Sequence, residues 1–284
     1  MEISKAFNLR FELGEGPFWH CLDKKLYCVD VRAKRIYMID PIEATYYYWQ
    51  FDNYVGCAIP SHDGGLIVGS GDKVFHFDPK KNEKKILFDA ATGMRMNDGK
   101  CDQKGRLWVG EADDTGQYKG QHFRLSPDGE AHSVDQGFFI SNGLDWTSDY
   151  KTFYLSDSAA QLIYKYDYDM RSGEISNKQI FVDLRGQPGY PDGLTLDADD
   201  YIWSAEWDGH RIVRYAPDGT VDRVIEMPVQ RPTSCMFGGA NLDVLYVTSC
   251  SMNIGDTEPL AEPNGYIYKI TGLGVVGRPQ NLFG

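Results

Sequence analysis

One unit of sequence recurs along this chain, and any fold it adopts must accommodate every copy. Its clearest forms read NDGKCDQKGRLWVGE from Asn97 and PDGLTLDADDYIWSAE from Pro191, with a third, SNGLDWTSDYKTFYLSD, from Ser141. Each has Asn or Asp followed by Gly, then a turn rich in Asp, Lys or Gly, then an aromatic strand. GEGPFWHCLDKKLYCVD from Gly14 and RPTSCMFGGANLDVLYVTS from Arg231 share this shape, and GCAIPSHDGGLIVGS from Gly56 is a degenerate copy. The six copies follow one another at roughly 40–50 residues, the period of a four-stranded propeller blade.

The segments between the copies agree with that reading. RIYMID, VFHFD, LIYKYDYD and RIVRYAPDG alternate apolar and polar residues and are separated by DG, DP, NG, SG and GG punctuation. Aromatic residues make up 13% of the chain and glycines number 30, a usage that favours strands, and no segment keeps a helical period. We therefore expect an all-β fold, a six-bladed β-propeller of four-stranded antiparallel blades around a central channel, with residues 1–284 as one domain. A sandwich or barrel of regular hairpins is the alternative.

Charge narrows the partners. With 41 acidic and 29 basic residues the formal charge is −12, which disfavours nucleic acid and anionic membrane. No uncharged apolar run approaches the roughly 18 residues of a membrane span, and MEISKAFNLRFELGEG has no apolar core of a signal peptide. A cytoplasmic protein is expected. Its six cysteines (21, 28, 57, 101, 235 and 250) form no CxxC pair and are read as buried free thiols.

The repeat also converts sequence positions into geometry. The first strand of each blade lies nearest the channel, so equivalent residues near its start face a common axis. That ring comprises Glu15, Gly56, Asn97, Asn142, Asp192 and Ser234. Several hard oxygen donors converging on one point can hold a divalent cation. Hairpin logic predicts a second ring at the ends of the second strands: Asp30, Ser70, Glu111, Asp157, Glu206 and Ser249. Both rings are expected to line one mouth, where so many carboxylates repel unless a cation or protons intervene. Arg95, two residues before Asn97, points the same way and is suited either to orienting a substrate or to a structural ion pair with a ring carboxylate.

Other chemistries lack their motifs. None of the six histidines lies in an HExxH or HxH pattern, Ser141 lies in ISNGL rather than GxSxG, and GSGDKV lacks the Lys-Ser/Thr of a phosphate-binding loop.

GEGPFW at Gly14, RMNDGKCDQKGRLWVG at Arg95, SNGLDW at Ser141, PDGLTLD at Pro191, RIVRYAPDG at Arg211 and PTSCMFGG at Pro232 resemble, in order, the senescence marker protein/regucalcin/gluconolactonase family. The resemblance implies a six-bladed propeller that hydrolyses sugar lactones with one divalent cation, calcium, zinc, magnesium or manganese. It implies Glu15, Asn142 and Asp192 as metal ligands and Arg95 and Asn97 as substrate contacts. Asp192 is then the expected general base. Glu111 and Glu206 are expected substrate contacts on the ring argument alone. The loop EADDTGQYKGQH lies where family members vary, which leaves the sugar open. Phosphotriesterase or aryl esterase activity at the same metal, and calcium binding without turnover, are the alternatives.

Overall fold

The structure is a computed structural model describing residues 1–115, 117–253 and 259–284; Gly116, within the loop after Glu111, lies outside them. Among the described residues, twenty-four strands form six four-stranded antiparallel sheets. Strand β1 is Glu2–Arg10. The first blade is β2 (Gly14–His20), β3 (Lys25–Asp30), β4 (Arg35–Asp40) and β5 (Thr45–Gln50). The second is β6 (Val55–Pro60), β7 (Leu66–Ser70), β8 (Lys73–Asp78) and β9 (Glu83–Asp89). The third is β10 (Arg95–Cys101), β11 (Leu107–Ala112), β12 (Gly120–Leu125) and β13 (Ala131–Phe138). The fourth is β14 (Ser141–Trp146), β15 (Thr152–Asp157), β16 (Leu162–Asp169) and β17 (Glu174–Asp183). The fifth is β18 (Tyr190–Leu196), β19 (Ile202–Trp207), β20 (Arg211–Tyr215) and β21 (Val221–Glu226). The sixth is β22 (Pro232–Gly238), β23 (Val244–Ser249) and β24 (Tyr266–Thr271), completed by β1.

The six inner strands contact one another around a ring that returns from β22 to β2. The sixth blade takes its outer strand from the chain's beginning, with Glu2 opposite Thr271 and Lys5 opposite Tyr268. The repeat units begin only at Gly14, so nothing in them marks this closure. It joins the first and last strands by backbone hydrogen bonds and so closes the ring of blades.

Apolar packing between blades fills the wedges. Between the third and fourth blades, Trp108, Phe138, Trp146, Phe153 and Tyr168 form one buried cluster, with the Trp108 and Phe153 rings 5.0 Å apart. The aromatic strand of the repeat is fixed by a buried acid. The Asp102 carboxylate accepts hydrogen bonds from Trp108 Nε1 at 2.9 Å, Arg106 Nε at 2.7 Å and Tyr168 Oη at 2.8 Å. In the fifth blade Asp197 accepts from Trp203 Nε1 at 2.9 Å and from Arg214. The aspartate six residues before the tryptophan in both units is thus an anchor between strands, not only a turn residue. The NG and DG pairs at Asn142 and Asp192 likewise lie inside inner strands rather than in turns.

The six cysteines are free and five are buried; Cys21, expected to be buried, is exposed in the turn after β2. No helix among the described residues is long and apolar enough to cross a membrane.

Asp102→Ala leaves a buried guanidinium, an indole and a phenol without their acceptor. It should cost about 3–5 kcal/mol, read as a lowered urea midpoint with an unchanged slope.

Candidate active site

Every inner strand breaks register near its start. The irregularities fall at Glu15/Phe18, Val55/Cys57, Met96/Gly99, Ser141/Leu144, Pro191/Leu194 and Pro232/Ser234. A bulge inserts an extra residue and re-aims its neighbours, a recurrent device next to functional sites. Here it bends six strands towards one axis. The backbones then approach so closely that side chains are excluded between them. A Cβ on Gly143 would lie 2.2 Å from Leu194 N, and one on Gly193 would lie 2.0 Å from Ser234 Oγ. The glycines after Asn142 and Asp192 therefore serve the crowding of the axis.

Glu15, Asn142 and Asp192 meet at this mouth and all are buried. Glu15 Oε2 accepts the Gly16 amide at 3.0 Å. Asn142 Nδ2 donates to Ser158 Oγ at 3.1 Å and also to Asp192 Oδ1. With its nitrogen engaged, the buried Asn142 Oδ1 has no hydrogen-bond partner among the described residues. Burial, then the charge of Asp98, pushes the Glu15 carboxyl up to about 8. Asp192 is driven well above the usual carboxylate range by burial and by the charges of Glu15 and Asp98, with Arg95 and Asn142 opposing. Two repelling carboxylates beside an unpartnered amide oxygen fit a hard divalent cation. Among the described residues no group of three or more His, Cys, Asp or Glu could hold a metal. The set here is two carboxylates and an amide.

Arg95 and Asn97 flank the same mouth. Asn97 Nδ2 donates to the Ser141 carbonyl at 2.8 Å, and Asn97 Oδ1 accepts from Arg95. Arg95 Nε lies 2.8 Å from Asp114 Oδ1, and Arg32 lies 3.1 Å from the other oxygen of Asp114. Arg95 thus pairs with a loop residue outside both rings, not with the ring carboxylate expected of it. A cavity of about 390 Å³ opens beside Arg95, lined also by Asn53, Tyr54, Met94 and Asp114.

Asp98 was not singled out from the sequence. It is half-buried and lines a narrow space shared with Gly16, Leu194 and Ser234. Burial raises its carboxyl to about 6, against the opposing charge of Lys100, itself held 2.9 Å from Asp145. Its signal was the bulge: Asn97 and Asp98 both sit in the register break of β10.

The second ring takes the expected backbone place but turns its side chains elsewhere. Glu111 pairs with Met96, Asp157 with Ser141 and Glu206 with Pro191, each the residue before a member of the first ring. One residue of offset in a strand puts a side chain on the opposite face. Glu111 accepts from the Thr92 hydroxyl and, at 2.8 Å, from the Gln121 amide. Glu206 accepts from Arg211 at 2.6 Å and Tyr215 at 2.7 Å. Asp30 and Asp157 bind the backbone amides of the loops that enter their blades. Glu111 and Glu206 are fully buried with protein partners, so the substrate contacts expected of them are not where the structure places them.

A larger cavity, about 550 Å³, lies at the opposite mouth beside Trp19, His20, Gln103 and Asn281. Neither Glu15, Asn142 nor Asp192 borders it, so the larger volume is not where the acids converge.

The SMP-30/gluconolactonase/LRE-like region matches residues 13–251. The pentonolactonase XacC of Haloferax volcanii is 33% identical over 292 residues, covering 99% of this chain and 97% of its own length. Regucalcin of Danio rerio is 32% identical, covering 98% of this chain and 97% of its own. The solved structure of a luciferin-regenerating enzyme superposes with a TM-score of 0.94 at 28% identity, covering 99% of both chains.

The raised Glu15 carboxyl sets a pH dependence. Its ordinary value is 4.5 and its folded value about 8, so between these the folded state retains a proton that the unfolded state has lost. Stability therefore falls as pH rises through this window. His122, lowered to about 3 by burial, works the other way only below its ordinary 6.5. Thermal melting in chelator should thus move down from pH 6.5 to pH 8, and an added divalent cation should offset most of the loss. A chelated melting temperature that climbs over this window contradicts the assignment.

Proposed function

Because the chain belongs to the SMP-30/gluconolactonase/LRE-like family, we propose that it hydrolyses a sugar lactone to the aldonic acid, with one divalent cation held by Glu15, Asn142 and Asp192. The observation that carries this reading is the buried Asn142 Oδ1, without a partner among the described residues, on a side chain that touches Asp192, whose carboxyl the charge of Glu15 raises. When bound, the cation supplies Lewis acidity and a lowered pKa for water. An all-oxygen ligand set accepts calcium, magnesium, manganese or zinc.

The chain's own residues supply the rest. Asp192 accepts a proton from water as the water oxygen bonds to the lactone carbonyl carbon and the carbonyl π pair moves onto its oxygen. When that pair returns, the bond from carbon to ring oxygen breaks. Asp192 then gives its proton to the leaving oxygen, and the new carboxylic acid ionises. Arg95 and Asn97 bind sugar hydroxyls or the developing oxyanion from the rim. The similarity to a pentonolactonase along almost the whole chain makes five-carbon lactones the first to assay.

Proton release from fresh arabinono-, xylono-, glucono- and galactono-lactones, with stripped protein and each ion restored, tests the reaction. Metal-restored ring opening of one lactone is expected. Tight cation binding with no turnover above the spontaneous rate contradicts it, and points to phosphotriesterase activity or to calcium binding without turnover. Asp192→Ala should lower kcat roughly 10²–10⁴-fold and weaken the metal. Arg95→Ala should lower kcat/KM by about 2–3 kcal/mol with cation affinity, read by calorimetry, nearly unchanged.

A further inference from the structure

Six strands form the outer rim of the propeller, and one differs from the other five. An outer strand presents unpaired backbone groups to any passing chain, and natural proteins blunt such edges with charged residues and bulges. Strand β1 carries Glu2, Lys5 and Arg10; β9 carries Glu83, Lys84, Lys85 and Asp89. Strand β13 carries Asp135; β17 carries Glu174, Lys178 and Asp183; β21 carries Asp222, Arg223 and Glu226. Strand β5, Thr45–Gln50, reads TYYYWQ and carries no charge.

The backbone makes the same distinction. The pairing of each of the other five outer strands with its neighbour contains a register irregularity. Strand β5 pairs with β4 without a break, from Arg35 opposite Gln50 to Asp40 opposite Thr45. It is therefore a regular, unprotected edge. Its face is aromatic, with Tyr46, Tyr47 and Tyr48 exposed by 53%, 58% and 43%. Tyrosine gives large contact area at low entropic cost and is enriched in interfaces.

The charges at the two ends of β5 indicate what covers it. Beyond the Thr45 end stands Glu43, exposed and without an ion-pair partner among the described residues; nearby Asp40 is already paired with Lys25. Around the Gln50 end, Lys84 lies 2.9 Å from the Asp52 carboxylate, Lys34 donates to the Asp52 carbonyl at 3.1 Å and Arg35 donates to Gln50 Oε1 at 3.0 Å. Three cations there face two carboxylates, Asp52 and the buried Asp30 opposite Arg35, which leaves the end basic. A second copy of β5 laid antiparallel about a two-fold axis brings the acidic end of each strand to the basic end of the other. Such a self-complementary patch is the requirement of an isologous dimer. In a chain of charge −12, a neutral strand with one basic end also lets two copies approach without the repulsion of the acidic surface.

We propose that β5 is the interface of a homodimer, in which two propellers join edge to edge through antiparallel β5 strands.

Sedimentation of the full chain across the micromolar range tests this. The wild type should pass from monomer to dimer with rising concentration. Tyr47→Lys, which places on β5 the charge that the other edges carry, should raise the dimer dissociation constant roughly tenfold or more. Glu43→Lys should also weaken the dimer, and Val224→Lys on the already charged β21 should leave it unchanged. A wild type that stays monomeric throughout overturns the proposal. So does a dimer that withstands Tyr47→Lys or is indifferent to Glu43→Lys.

Discussion

Glu15 and Asp192 are buried at one end of the channel, near enough for the charge of Glu15 to act on the Asp192 carboxyl. The charge of Glu15 raises the affinity of Asp192 for protons, and the charge of Asp98 raises that of both. Burying one unpaired carboxylate is costly, and burying two in proximity is costlier. A cation answers that repulsion, and the unpartnered oxygen of Asn142 is the neutral ligand such a cation needs. The proposed chemistry follows from the same arrangement. An acid that holds its proton strongly when unpaired becomes a usable base only when a positive charge is present.

The rest of the fold keeps those groups in place. Strand β1 closes the ring on β24, so no blade can splay outwards without breaking a ladder that joins the chain's two ends. Bulges aim the inner strands at the axis, and glycines let the backbones meet there. Asp102 and Asp197 tie the inner strands to the aromatic strands behind them. Asp30 and Asp157 hold the entering loops by their backbone amides. The four acids of the second ring, Asp30, Glu111, Asp157 and Glu206, thus serve construction, each held by partners within the protein.

The first ring was legible because a repeat fixes equivalent positions, and Glu15, Asn97, Asn142 and Asp192 lie where the counting puts them. The second ring was legible only as backbone. Counting along a strand does not say which face a side chain takes when a bulge has shifted the register by one, and Glu111 and Glu206 fell on the other face for that reason. Asp98 was missed by the same bulge, since regular alternation turns it away from Asn97. Closure by β1 left no mark in the repeat because it depends on a pairing between the chain's ends. The exposed edge of β5 became visible only when all six outer strands were compared with their ladders.

Anomalous diffraction from crystals grown with manganese tests the central claim most directly. A peak is expected at the mouth of the channel, within roughly 2–2.5 Å of Glu15, Asn142 Oδ1 and Asp192. No peak there, or a peak among the outward-turned carboxylates of Asp30, Asp157 or Glu206, would contradict the account.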